Sequence, residues 1–305
     1  KDNNLSALVI GTGSNCIFGN AGYKGLVIVN KIPGIKIAKN EIGSVLEVGA
    51  GENWDGLVKK SVELGFLDIA ALSLIPGTCG AAPVQNIGAY SQQVSDSIIS
   101  IRAYDRELEE FVTLENKDCK FSYRSSRFNT AEKGRFVITS IKMQLCRKNI
   151  SPPFYTDVEN FFTENMIDQS GITPEILRQA VSTVRVKKLP DPRTIANCGS
   201  FFKNPVVSPD VYSDLKSRFP DLHAHTTDDG NLKLYGAQLI ELSGLKDYHD
   251  QDTGMATWKN QALVLVNESA KTADDLKKKK EKIISAVQEK FGIVLVQEPE
   301  FIELV

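Results

Sequence analysis

The chain has 305 residues, 42% of them hydrophobic and 24% charged, enough apolar material for a sizeable core spread over two or three lobes. Thirty-six basic residues against 38 acidic ones leave a formal net charge of −2, so there is no global positive excess with which to neutralise a nucleic-acid backbone. No apolar run reaches the roughly 18 to 20 residues of a membrane-spanning helix, no basic-then-apolar leader opens the sequence, and the five cysteines are scattered without a C-x-x-C pair. These features describe a soluble cytoplasmic protein with reduced thiols and neither a nucleic-acid nor a membrane partner; a monomer is expected.

The chain starts at Lys1 and enters a strand almost at once, which points to sequence upstream of it. Leu8-Val9-Ile10 reads as a buried strand running into the glycine-rich turn Gly11-Thr12-Gly13-Ser14-Asn15. Strands follow at 26–29 and 45–48. A helix fits 54–64, because Trp54, Leu57, Val58 and Val62 share a face and Gly65 supplies a left-handed stop. The stretch LSLIPGTCGAAPVQNIGAY, 72–90, carries no charge and is crowded with Gly, Ala and Pro; neither helical nor strand period fits it, and residues this small let backbone approach a ligand closely. Alternation resumes at 99–104 and at 137–145, where Val137, Thr139, Ile141, Met143 and Leu145 are expected on one face.

Thr173 and Pro174 open a further helix as N-cap and first helical residue, carried by Ile176, Leu177, Ala180, Val181 and Val184. Leu189-Pro190-Asp191-Pro192 cannot continue it and marks the best domain boundary. Beyond lie a hairpin at Asp228-Asp229-Gly230, a helix around 237–242 stopped by Gly244, a strand at 262–266, a long helix from about 274 to 291 capped by Thr272 with Asp275, and a strand at 293–296. The lysine run 277–280 reads as the solvated face of the long helix, opposite a stripe of Leu276, Ile283, Ile284, Val287 and Phe291. The texture is α+β.

Several motifs suggest chemistry, each beside a plainer alternative. The 11–15 turn lacks the third glycine of the dinucleotide fingerprint, since Cys16 stands there, so alone it fits an ordinary tight turn as well as a phosphate cradle. A second uncharged glycine-rich segment at 72–90 is what a long, flat, diphosphate-bearing cofactor such as FAD requires; a buried structural loop is the alternative. Arg124, inside Tyr123-Arg124-Ser125-Ser126-Arg127-Phe128, fits a carboxylate clamp or a structural ion pair. Ser200 lies in Asn197-Cys198-Gly199-Ser200-Phe201-Phe202 without a G-x-S-x-G elbow, which argues against a serine hydrolase. His223 and His225 sit in a polar stretch with no third ligand and read as solvent-exposed, without a metal. Glu298 and Glu300, near the end of the chain, read from composition as solvated charge.

Taken together, GTGSN at Gly11, GAGENW at Gly49, IPGTCGAAPVQNIGAY at Ile75, FSYRSSRF at Phe121, KLPDP at Lys188, GSFFKNPVV at Gly199, QALVLVNE at Gln261 and EPE at Glu298 resemble, in order and over nearly the whole chain, the type I UDP-N-acetylenolpyruvoylglucosamine reductases. The resemblance implies an FAD-binding fold of the vanillyl-alcohol oxidase type, two α+β subdomains with a separate α+β substrate lobe. It places the remainder of the first subdomain at 1–31, its opening βαβ unit lying before GTGSN in the family, the second subdomain at 32–189, the substrate lobe at 190–290, and a returning tail at 291–305. It implies NADPH-dependent reduction of UDP-N-acetylglucosamine enolpyruvate to UDP-N-acetylmuramate through noncovalent FAD, in cytoplasmic peptidoglycan precursor synthesis.

Carried over residue by residue, Ser200 is similar to the general acid at C2, and Arg124 and Glu300 to the groups that stabilise the enolate. Gly11, Thr12, Gly13, Ser14, Asn15, Pro76, Gly77, Thr78, Gly80, Ala81, Gln85, Asn86, Ile87, Gly88 and Ala89 match the cofactor loops. Tyr155, in Tyr155-x-Asp157, matches the tyrosine over the substrate diphosphate, and Lys188, Asn204 and Gln261 match further nucleotide contacts. The chain departs from the pattern at Phe301-Ile302, where the family has Val-Arg, and at Ser91, where it has glycine. Another flavin oxidoreductase of the superfamily would share the flavin loops but not Lys188, Asn204 and Gln261; a silent nucleotide-binding paralogue would carry no flavin.

Overall fold

A computed structural model describes residues 5–146, 154–227 and 229–303. The chain divides into two units, one made of Lys1–Ser14 and Gly25–Arg185, the other of Asn15–Lys24 and Val186–Val305.

The first unit is built on a five-stranded antiparallel sheet in the order Ile35–Asn40, Gly43–Gly49, Phe136–Cys146, Ile98–Asp105, Glu110–Glu115. One face is packed by the helix Trp54–Glu63, whose Trp54, Leu57 and Val58 join Leu46, Ile101, Ile141 and Met143 in a core that water does not reach. Asn53 caps this helix by accepting from Gly56 N, and Gly65 ends it at φ +83°, as the sequence pattern requires. The expected shared face of Val137 and Thr139 with Ile141 is not found. A bulge between Ile138 and Ser140 inserts Thr139 as an extra residue, so Ile138 rather than its neighbours is buried and the alternation restarts beyond it. Ala7–Ile10 and Leu26–Val29 form a separate parallel pair; the first is half-buried rather than buried and the second is exposed. The helices Thr156–Glu164 and Pro174–Lys188 bury Phe161, Phe162, Leu177, Ala180 and Val181 against Leu67, Ala70 and Ala71. Arg178 secures the second of them through a bidentate pair with Asp55 at 2.7 and 2.8 Å.

The second unit centres on Gln261–Asn267, whose residues Ala262 to Val266 are all buried, as befits a continuous apolar run. It pairs with Met255–Trp258, and Met255–Trp258 pairs in turn with His249–Asp250. The helix Ala273–Phe291 begins at a Thr272–Asp275 capping box, ends at Gly292 in the left-handed region, and packs Ile283, Val287 and Phe291 onto Phe201, Leu239 and Leu265. The unit also holds the helices Pro209–Arg218 and Gly236–Leu242 and the hairpin Ala224–Thr226 with Leu232–Leu234, edged by Val206–Val207; Asp228, in the expected turn, lies outside the described residues. Cys16–Phe18 belongs here because it pairs in parallel with Glu300–Ile302.

Two expectations fail in this unit. Residues 293–296 form no strand, because only isolated bonds brace them and the segment following them: Lys203 N donates to Val296 O, Phe202 bridges Gln297, and Glu298 N donates to Phe201 O. Nor is the lysine run wholly solvated. Lys279 is fully buried, with Nζ 4.0 Å from the centre of the Tyr248 ring, 3.3 Å from Tyr248 O and 4.0 Å from Asp250 Oδ2. Four consecutive helix positions cover the whole circumference, so one had to face inward; its long stem buries apolar surface while a ring face and a carboxylate receive the charge.

Burial pulls the Lys279 pKa down to about 8, Asp250 and Glu268 oppose the shift, and Lys282 adds to it. An unfolded lysine titrates at about 10.4, so between these values the unfolded chain binds the more protons and stability rises with pH. Lys279→Met lacks that contribution. In urea unfolding, wild type should gain on the variant as pH rises from about 8 to about 10; a difference that stays constant with pH would show that Lys279 is not strained by burial.

Candidate active site

In the first unit the two glycine-rich segments converge. Cys79 N donates to Glu52 O, Gly80 N to Ala50 O, and Trp54 N to Gly77 O, so the 77–80 turn is held against the sheet end and the helix start. Gly80 lies so close to Ala50 that a Cβ there would sit 2.5 Å from the Ala50 side chain. The Gly11 turn meets this segment. Ser14 Oγ donates to Pro76 O at 3.4 Å, and a Cβ on Gly11 would fall 2.6 Å from Thr78 Oγ1. Thr78 Oγ1 is itself buried without a hydrogen-bond partner. Gly13 at φ +74° and Gly77 at φ +130° hold conformations that side chains oppose. Further along, Asn86 is buried at φ +46°; its amide donates to Gln93 Oε1 and Ser122 O and its oxygen accepts from Ser95 N. That network ties the 85–89 loop to the segment bearing Arg124.

Arg124, at φ +51°, donates from Nη2 to Gly88 O at 2.6 Å and lies 5.2 Å from the Tyr123 ring centre. The guanidinium therefore packs on the cofactor-type loop, where any side chain on Gly88 would crowd Arg124 Nη1 at 3.1 Å. Tyr155 precedes Thr156–Glu164 and meets Tyr90 edge-on, ring centres 5.6 Å apart. Both line a cavity of about 270 Å³ together with Ser91, Gln92, Phe154 and Leu177.

The second unit holds Ser200, Glu300, Lys188, Asn204 and Gln261. Ser200 forms an isolated bridge with Val264, and Phe201 N donates to Leu263 O at 2.7 Å. Phe201 O accepts from Glu298 N, Asn15 Nδ2 donates to Glu298 O, and Glu300 N donates to Asn15 O. The tail that bears both glutamates is thus stitched to the Ser200 segment, and Glu298 and Glu300 are half-buried rather than solvated. Asn204 Oδ1 accepts from Gly236 N at 2.9 Å, and Gln261 Oε1 accepts from Leu263 N at 3.5 Å. Lys188 is the last residue of Pro174–Lys188. Burial pushes the Cys198 thiol up to about 12, so the cysteine beside Ser200 is a neutral thiol at neutral pH. His223 and His225 are exposed.

Residues 191–302 match the C-terminal domain of UDP-N-acetylenolpyruvoylglucosamine reductases and residues 1–114 match an FAD binding domain. The chain is 38% identical over 294 residues to the UDP-N-acetylenolpyruvoylglucosamine reductase of Chromobacterium violaceum, covering 96% of this chain and 85% of that one. It is 39% identical over 298 residues to that of Neisseria gonorrhoeae, covering 97% and 85%. The chain belongs to the UDP-N-acetylenolpyruvoylglucosamine reductase family. Its members are FAD-dependent oxidoreductases of the vanillyl-alcohol oxidase fold, and solved structures agree on that fold. The crystal structure of the reductase from Thermus caldophilus superposes with a TM-score of 0.63 at 19% identity, over 98% of this chain and 86% of the other. That of 6-hydroxy-D-nicotine oxidase from Arthrobacter nicotinovorans does so with a TM-score of 0.50 at 13% identity, over 97% and 77%.

The residues of the first unit fit FAD. Thr78 offers a buried hydroxyl with no protein partner, and the glycines opposite keep clear the space a side chain would fill. Two residues, one in each unit, escaped the sequence reading. Arg185 is half-buried beside Tyr90, its Nη2 donating to Leu74 O at 3.4 Å while its buried Nε has no hydrogen-bond partner, and desolvation lowers its pKa. Its signal was a cation directly after Val184 in the buried stripe. Asn197, two residues before a glycine, carried the signature of a side-chain-closed turn.

Gly11→Ala should lower the flavin content of purified protein several-fold, because the new methyl displaces Thr78 Oγ1, while far-ultraviolet circular dichroism stays unchanged. The ratio of absorbance at the flavin band to that of protein measures it; undiminished flavin in the variant would remove Gly11 from the cofactor site.

Proposed function

We propose that this protein uses NADPH to reduce UDP-N-acetylglucosamine enolpyruvate to UDP-N-acetylmuramate, as a cytoplasmic monomer in peptidoglycan precursor synthesis. The observation that carries the reading is the setting of Ser200: a serine braced by Val264 and by the Phe201–Leu263 bond, on a segment stitched to the tail that bears Glu300. In this reading residues 1–31 and 32–189 hold the cofactor, 190–290 hold the nucleotide sugar, and 291–305 return Glu300. No helix among the described residues is long and apolar enough to cross a membrane.

FAD, held noncovalently by Gly11 to Asn15 and by the 76–89 segment, supplies the relay of two electrons from NADPH to the enolpyruvyl double bond. The chain's own groups handle charge and the proton. As C3 is reduced, negative charge develops at C2 and spreads into the adjacent carboxylate. Arg124 meets that charge; the Gly88 contact takes one of its five donors and fixes the plane of the fork. Glu300 shares in stabilising the enolate, on a strand whose register with Cys16–Phe18 sets its position. Ser200 Oγ then gives its proton to C2. A serine hydroxyl is a feeble acid, so it donates only to a strongly basic carbon within hydrogen-bond reach. Tyr155 covers the diphosphate, Lys188 supplies point charge to it, and Asn204 and Gln261 direct hydrogen bonds to the nucleotide.

Ser200→Ala separates the two half-reactions. Stopped-flow traces should show flavin bleaching by NADPH at the wild-type rate and reoxidation by the enolpyruvyl substrate slowed by on the order of 10²–10⁴. Equal slowing of both steps would make Ser200 a packing residue and refute its role as acid.

Lys188→Ala should raise KM for the nucleotide sugar more than it lowers kcat, since a diphosphate contact remote from C2 and C3 contributes equally to ground and transition states. The loss corresponds to about 1.5 to 3 kcal/mol for a charge-assisted bond; steady-state kinetics with an unchanged KM would assign Lys188 a structural role instead.

A further inference from the structure

We propose that Asn197 is a positioning residue for Ser200, its amide clamping the turn that aims the proton donor. The proposal rests on the reading of Ser200 as the acid at C2. The backbone on either side of the turn is anchored to one strand: Asn267 N donates to Ala196 O at 2.9 Å, and Phe201 N to Leu263 O at 2.7 Å. Between these anchors the chain reverses through Gly199 at φ +73°, and the Asn197 side chain closes that reversal. Its Oδ1 accepts from Gly199 N at 3.0 Å, while its Nδ2 donates to Ile195 O at 2.9 Å and to Pro190 O at 3.4 Å. A backbone N–H can only donate and a carbonyl can only accept, so this orientation of the amide is fixed by chemistry.

One planar group thereby joins the residue before Ser200 to the Leu189–Pro190 stretch that follows Lys188. No other side chain of that size accepts on one edge and donates on the other: aspartate loses the donors, leucine loses both. Proton transfer tolerates little displacement, and a misplacement of about 1 Å costs about 10²-fold. Asn197 touches neither cofactor nor substrate in this scheme; it acts through the Gly199 turn.

The test compares half-reactions in the flavin-loaded, full-length protein. In Asn197→Ala, flavin content and the rate of bleaching by NADPH should match wild type, while reoxidation by UDP-N-acetylglucosamine enolpyruvate should slow about 10²-fold with little change in the substrate concentration giving half the maximal rate. Asn197→Ser, whose hydroxyl can accept from Gly199 N in the same turn, should recover part of the rate. The Ser200→Ala/Asn197→Ala double variant should be no slower than Ser200→Ala, because a residue that acts only through Ser200 has nothing left to position. Normal reoxidation in Asn197→Ala overturns the proposal, as does equal slowing of both half-reactions or lost flavin. If Asn197→Ala does not fold, Asn197→Ser decides by the same criteria. A Ser200→Ala protein that reoxidises normally would instead defeat the reading of Ser200, and the positioning role would fall with it.

Discussion

The bond from Phe201 N to Leu263 O, 2.7 Å long, ties the segment that bears Ser200 to the second unit's buried strand. Leu263 lies in a strand with five consecutive buried residues. Through that bond and the Ser200–Val264 bridge, a side chain on an irregular segment inherits the rigidity of the core. The opposite edge of the segment is occupied by the returning tail, whose Glu298 N donates to Phe201 O. In the role proposed for it, Ser200 works by geometry.

The first unit solves a different problem, that of bringing backbone close to a flat, anionic cofactor. It does so with absent side chains. At Gly11 and Gly80 a methyl group would collide with Thr78 and Ala50 respectively, and at Gly77 the backbone turns through φ +130°. The cost of so much glycine is conformational entropy, offset by burying Cys79, Ala82 and Ile87 of the same segment in the main core. Arg124 is brought in by the same loop, through Gly88 O, so the glycine-rich segment and the guanidinium proposed to meet the substrate carboxylate are one construction.

Much of this was legible in the sequence where one local rule dominated. The helix from Trp54 follows from its stripe and its Gly65 stop, and the helix from Ala273 from its Thr272–Asp275 box. The motifs carried the family, though not the geometry that relates Ser200 to the tail, which arises from long-range bonds between residues about a hundred positions apart. Where the reading failed, a tertiary choice had overridden local pattern. Thr139 looked like one more step in an alternation, yet the bulge made it the extra residue. Val294 and Val296 looked like strand residues but remain exposed beside isolated bonds. Lys279 looked like its three neighbours, and only the Tyr248 ring and Asp250 beneath it show why it differs.

The account's central claim is that the purified protein passes electrons from NADPH to an enolpyruvyl sugar nucleotide. Its most direct measurement is flavin absorbance on mixing first with NADPH and then, anaerobically, with UDP-N-acetylglucosamine enolpyruvate. The predicted trace bleaches, then recovers fully while one UDP-N-acetylmuramate forms for each flavin reoxidised. A protein that carries no flavin, or whose reduced flavin is left bleached by this substrate, would contradict the account.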